Sequence, residues 1–220
     1  MKQIDLAEVN EALNGLDWDP PLMRGSAKFA QGGTLRRELR RWWVKNPQRW
    51  AAWLMLNPSV AAKEKNDPTA LRVTHFSKAA GCDGWIGVNL YPFVASKPEQ
   101  MWHWANWEAH GPAWDVRDAL AENLTDIEEA ARASVLRVVA FGAAPIYHDD
   151  VWLEQCLEAF GQPADRADAD EQFYCLGVNS SGQPLHPLAR GKMRIAGDVR
   201  LMPWSRDGSQ QGPLDAVAKG

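Results

Sequence analysis

Apolar and polar positions alternate along the chain on two length scales. Four short runs are almost wholly apolar: residues 50–56, 85–90, 135–141 and 173–176. Their length and their abrupt ends at Asn57-Pro58-Ser59, Tyr91-Pro92-Phe93 and Gly142 predict buried strands. Helical patterns fill the intervals. Asp67 stands as an N-cap with Pro68 in the first turn; Leu71, Thr74, His75 and Lys78 follow helical spacing, and Gly81 closes the element. Helices are also expected over 98–109, 113–132 and 151–160, the first two separated by His110-Gly111-Pro112. Residues 161–171 read as a polar loop and 177–194 as mostly loop, with Leu185-His186-Pro187-Leu188 at its centre. The basic amphipathic stretch Arg36–Trp43 fits either a strand or a short helix. Ahead of it, the pattern suggests a helix within 1–25, a Pro-rich loop and a turn at Gln31-Gly32-Gly33.

Strands alternating with helices imply an α/β fold with a short, mainly parallel sheet of about four strands covered on both faces. A single domain over 1–204 is expected, with an N-terminal helical extension of about 1–30 and a flexible Gly/Ser/Gln-rich tail over 205–220. In such sheets ligands gather beyond the carboxyl ends of the strands.

Composition narrows the picture. The 220-residue chain carries a net charge of −4, so bulk charge does not attract nucleic acid, although a local basic groove can. Three cysteines (Cys82, Cys156, Cys175) are widely spaced and make no CxxC, which points to reduced thiols in a cytoplasmic protein and to no zinc site. The N-terminus does not read as a signal peptide, and no apolar run reaches the roughly 20 residues of a membrane span. No GxGxxG or GxxxxGK[ST] follows a strand, so no dinucleotide or nucleoside-triphosphate cofactor is expected, and no cofactor or metal of any other kind. Of twelve tryptophans, eight fall in two groups, around 42–53 and 102–114; they suit core packing or, alternatively, a surface that stacks on bases.

LNPS at 56–59, NDPT at 66–69, VNLYPF at 88–93, FG at 141–142, CLGV at 175–178 and GQPLHPL at 182–188 resemble the bacterial and phage family DUF1643. Where that family often has Asn-Asp after Gly-Pro, Ala113-Trp114-Asp115 follows here. More distantly, the same landmarks resemble the uracil-DNA glycosylase superfamily. There a GINPG-type motif ends the first strand, an Asn ends another strand and reads the base, and a His-Pro motif follows the last strand. Asn57-Pro58-Ser59, Asn89 and His186-Pro187 occupy those places. Ser59 replaces the usual Gly, and Leu188 stands where Ser commonly follows His-Pro.

That resemblance implies a three-layer α/β/α sandwich and a DNA glycosylase that flips a modified or damaged base, most naturally a pyrimidine, out of DNA. Hypermodified phage DNA is one target it suggests, with a role in phage defence. The chemistry requires a positioned water, donors for the departing base and a pocket for one nucleotide. Asn57 is the candidate for holding water through its amide oxygen, with Asp67 assisting beyond its capping role. Asn89 can donate and accept at once, as a pyrimidine edge demands. Tyr91 or Phe93 can stack on the base, and Ser59 lies beside it. A neutral His186 can donate to the leaving base. Arg190, Lys192 and Arg194, with Arg36 and Arg37, suit phosphate contacts. Each residue also has a structural alternative: a turn amide, a helix cap, a packed aromatic, a solvated cation. Two other functions compete: a non-catalytic sensor of modified DNA or nucleotides, and a hydrolase of free nucleosides or nucleotides. No membrane or obligatory protein partner is implied.

Overall fold

The computed structural model describes residues 23–59, 67–106, 114–142 and 150–206. Among them the chain forms strands β1 (Arg24–Ala30), β2 (Leu35–Trp42) and β3 (Trp50–Met55), helix α1 (Pro68–Ala79) and strand β4 (Gly84–Asn89). Helices α2 (Pro98–Ala105) and α3 (Trp114–Arg132), strand β5 (Leu136–Val139), helix α4 (Asp150–Phe160), and strands β6 (Phe173–Cys175) and β7 (Met202–Pro203) complete it.

All seven strands share one sheet in the order β1-β2-β4-β3-β5-β6-β7. The four strands expected from apolar runs lie side by side in its middle, with β4-β3, β3-β5 and β5-β6 parallel. The edges are antiparallel: β1 on β2, β2 on β4, and β7 on β6. The expected four-stranded, mainly parallel sheet is therefore corrected to a mixed, seven-stranded one. The stretch Arg36–Trp42 is a strand, and Arg24–Ala30, expected to be helical or loop, is the edge strand β1. The remainder of the N-terminal extension and the tail from residue 207 lie outside the described residues.

The two faces of the sheet bury separate clusters. Trp53, Met55, Trp85 and Val138 pack with Val73 and Phe76 of α1 and with Ile195 and Leu201. Leu54, Ile86, Val88 and Val139 pack with Met101 and Trp102 of α2, Ile127 and Ala130 of α3, and Cys156 and Phe160 of α4. All three cysteines are free and buried. No helix among the described residues is long and apolar enough to cross a membrane.

Two indoles fix α1 on the sheet. Trp53 Nε1 donates to Ser77 Oγ at 2.9 Å, and Trp85 Nε1 donates to Thr74 Oγ1 at 2.8 Å. A buried indole N–H needs such a partner. These two tryptophans are core residues, as is Trp102. Trp107 lies outside the described residues.

Candidate active site

Strands β3, β4 and β5 all run toward one end of the sheet, and a cavity of about 410 Å³ opens there. That volume falls within the range of about 300–1,000 Å³ usual for small-molecule sites. Its polar lining includes Asn57, Ser59, Asp67, Asn89, His186 and Arg36; Phe141, Trp85, Met55 and Leu39 supply apolar walls.

Asn57 lies two residues past the end of β3. Pro58 lacks an N–H and restricts the residue before it to extended backbone, so the strand ends here. The loop after β4 is sewn to this turn: Leu90 N–H donates to Met55 O, Tyr91 N–H to Leu56 O and Ala95 N–H to Pro58 O. Asn57 Nδ2 donates to Pro58 O at 3.1 Å and to Ala95 O at 3.0 Å. Both amide hydrogens are thereby spent on backbone, and Oδ1 remains as the group that can accept from a ligand or water.

Asp67 caps α1 as its sequence position predicts. Its Oδ1 accepts from Ala70 N–H at 2.7 Å and its Oδ2 from Ser59 Oγ–H at 2.8 Å. Ser59 is thus a donor to Asp67, and it lines the cavity.

Asn89 is the last residue of β4 and only 1% exposed. Neither Oδ1 nor Nδ2 has a hydrogen-bond partner. Burying an amide unpaired is costly, and native interiors rarely do it. The backbone beneath is held firmly: Asn123 of α3 donates through Nδ2 to Asn89 O at 3.0 Å and to Leu90 O at 3.2 Å.

His186 lies in the loop after β6 and touches the turn after β5. A Cβ built on Gly142 would sit 3.4 Å from His186 Cβ, and Gly142 itself has φ +79°. Leu188 N–H donates to His186 Nδ1 at 3.1 Å. An accepting Nδ1 puts the proton on Nε2 in the neutral ring. Burial lowers the His186 pKa below its ordinary 6.5, with the Asp67 carboxylate opposing only in part. At pH 7 the imidazole is therefore neutral and carries a single N–H donor, on Nε2.

Arg36 is the residue whose place differs most from expectation. It was expected at a DNA-facing surface beside Arg37, yet it lines the cavity and is only 4% exposed. The register of β1 with β2 shifts between Lys28 and Phe29, which pair with Glu38 and Arg36 respectively. Arg37 is the extra residue of this bulge. As a result Arg37 and Glu38 both face α3, where Arg37 bonds Glu122 and Asp126 and Lys28 joins Glu38 to Glu129. The bulge turns Arg36 to the opposite face, beside Leu39. Its Nε and Nη1 are buried without a partner. Burial lowers its pKa to about 10, against the pull of Asp67 and with a push from Arg41.

A family model described as a protein of unknown function, DUF1643, matches residues 36–188. The chain belongs to the DUF1643 family. No significant match was found among curated proteins or solved structures. The DUF1643 span begins at Arg36 and ends just past His186, so it takes in every described residue lining the cavity.

The fold thus gathers Asn57, Ser59, Asp67, Asn89 and His186 from separate segments into one hollow. It does not gather the other expected residues there. Tyr91 is buried against Trp102 and Trp152, with ring centroids 5.2 and 6.1 Å away. Phe93 stacks on Trp104 at 5.2 Å. Both belong to the packing on the α2–α4 side, which corrects their expected stacking role. Arg37 is held on the α3 face and is not positioned for phosphate in this cavity. Arg190, Lys192 and Arg194 are exposed on the loop beyond His186, outside the cavity lining and outside the DUF1643 span. The aromatics that do line the cavity are Trp85 of β4 and Phe141, at the carboxyl end of β5 and edge-on to Trp204 at 6.0 Å. The strand-end logic that singled out Asn57 and Asn89 applies to Phe141 equally. Asn123 had no sequence signal, because a polar residue inside an amphipathic helix looks solvent-facing.

Proposed function

We propose that the protein is a DNA glycosylase that hydrolyses the N-glycosidic bond of a modified or damaged pyrimidine extruded into this cavity. The observation that carries the reading is the Asn89 amide: donor and acceptor both buried, both unpartnered, at the end of a central strand. A pyrimidine edge offers the matching acceptor and donor. His186 Nε2–H is the neutral donor for the oxygen that gains charge as the base departs. Asn57 Oδ1 is an acceptor for the water that attacks the sugar, and Phe141 is a wall on which a ring can lie. The order of these groups, Asn-Pro after one strand, Asn at the end of another and His-Pro after β6, supports a distant kinship with uracil-DNA glycosylases and their α/β/α sandwich. The exposed Arg190, Lys192 and Arg194 would meet the phosphates around the extruded nucleotide.

The test is base release. Duplexes carrying uracil, hydroxymethylated or glycosylated pyrimidines are incubated with the protein and assayed for alkali-labile abasic sites. Asn57→Ala and His186→Ala should each slow release by about 10- to 1,000-fold. Absence of release across the panel, or unchanged rates in both variants, rejects the reading.

One observation favours a second reading, a sensor of modified DNA that binds without hydrolysis. Both Asp67 oxygens are already engaged, by Ala70 N–H and by Ser59, which leaves the weakly basic Asn57 amide to orient water. Salt-dependent binding to a modified duplex without base release would favour the sensor. A hydrolase of free nucleosides would work equally well after loss of Arg190 and Lys192.

A further inference from the structure

Asn89 explains how the cavity could hold a neutral heterocycle, but not why a cation is buried in the same lining. The Arg36 guanidinium makes no hydrogen bond or ion pair with any described residue, and Nε and Nη1 are sealed from solvent. It is not placed there by simple strand alternation; a bulge in β2 aims it inward. Among the described residues lining the cavity Asp67 is the one carboxylate, and it attracts Arg36 without making a hydrogen bond to it, both of its oxygens being engaged by Ala70 N–H and Ser59. A buried guanidinium with open donors is a recognition device for carboxylate or phosphate. Arg36 and Asn89 are both buried in the cavity lining, at 4% and 1% exposure, whereas Arg190, Lys192 and Arg194 are exposed; this burial suits Arg36 to the base and its substituents better than to a sugar-phosphate chain.

We propose that the cavity selects a pyrimidine bearing an anionic substituent, with Arg36 pairing the charged group while Asn89 reads the amide edge. This rests on the glycosylase reading for the pyrimidine, and it names the class of base that enzyme would excise.

The experiment uses free bases, so that neither DNA nor catalysis is needed. Binding of 5-carboxyuracil, 5-hydroxymethyluracil and uracil to the full chain is measured by calorimetry at pH 7.5. The carboxylated base should bind about 10- to 100-fold more tightly than either neutral one. Arg36→Gln should erase that preference, so that the three bases bind the variant alike, and Arg36→Lys should restore part of it. Equal affinities for the three bases in the wild-type protein overturn the proposal, as does a preference that survives Arg36→Gln. Uridine and uridine 5′-monophosphate form a second arm: a gain from the phosphate without a gain from the carboxylate would assign Arg36 to the nucleotide backbone and sink the proposal. The two readings fail separately. A carboxylate preference without base release from any duplex overturns the glycosylase and keeps the anion site. Base release from neutral modified pyrimidines without a carboxylate preference does the reverse.

Discussion

Replacing Arg36 by methionine should make the unliganded protein more stable. The guanidinium is 4% exposed and its pKa falls from 12.5 to about 10, chiefly through burial. At about 1.4 kcal/mol per unit, that shift corresponds to a penalty of about 3 kcal/mol on the charged form. The sign is fixed by linkage. Below pH 10 the group is protonated in both the folded and the unfolded chain, so the penalty is constant through neutrality; it is relieved only above about pH 10, where the folded chain sheds the proton first. Methionine fills similar space without charge. Its cost is the lost attraction to Asp67, but that carboxylate keeps Ala70 N–H and Ser59 as partners. A net gain of about 1–3 kcal/mol is expected, in line with other swaps of buried ionic groups for apolar ones. For a chain of this size this is a rise in Tm of about 2–12 °C. The assay is calorimetric melting at pH 7 with no ligand. A lower Tm for Arg36→Met would refute the reasoning, because it would mean that the folded protein already satisfies the charge and needs no ligand to do so.

Three further outcomes follow from the same site. His186 has a lowered pKa in the folded state, so on acidification the unfolded chain takes the proton first. Stability should rise with pH through the window below about 6.5 and be lost as pH falls through it; His186→Gln should flatten that part of the Tm-against-pH curve, and an unaltered curve would disprove the assignment. Asn123→Ala removes the donor from Asn89 O, whereas Leu90 O keeps Trp152 Nε1 at 3.1 Å. A loss of about 1–3 kcal/mol is expected in urea unfolding, together with weaker binding of free base. Gly142→Ala places a side chain at φ +79° and 3.4 Å from His186 Cβ. It should cost about 1–2 kcal/mol and slow base release by displacing the imidazole; a full rate would show that His186 is not positioned by this turn.

The centre of the fold was readable in the sequence because burial on both faces leaves a parallel strand no polar positions. WAAWLM and GWIGVN are such strands, and the Asp67-Pro68 start of α1 carries its own capping chemistry. The edges were not readable. RGSAKFA mixes exposed and half-buried positions without regular alternation and holds no β-branched residue, and β7 is two residues long and includes a proline. Asn57, Asn89 and His186 were found because strand ends converge in an α/β sheet whatever the edges do. Arg36 and Arg37 were wrongly grouped, since neighbours in sequence part company only at a bulge, and a bulge is set by pairing with β1. Tyr91 and Phe93 were misread for a related reason: which side of a loop an aromatic falls on depends on Trp102, Trp104 and Trp152, contributed by helices distant in the chain.

The Ser59–Asp67 bond has a thermodynamic corollary. It joins the turn after β3 to the first turn of α1 through two side chains that both line the cavity. One carboxylate therefore serves the helix cap through Oδ1 and the strand-end turn through Oδ2, so a change in its ionisation would loosen both elements at once. Local stability of the helix start and the shape of the ligand pocket are thermodynamically linked through this single group.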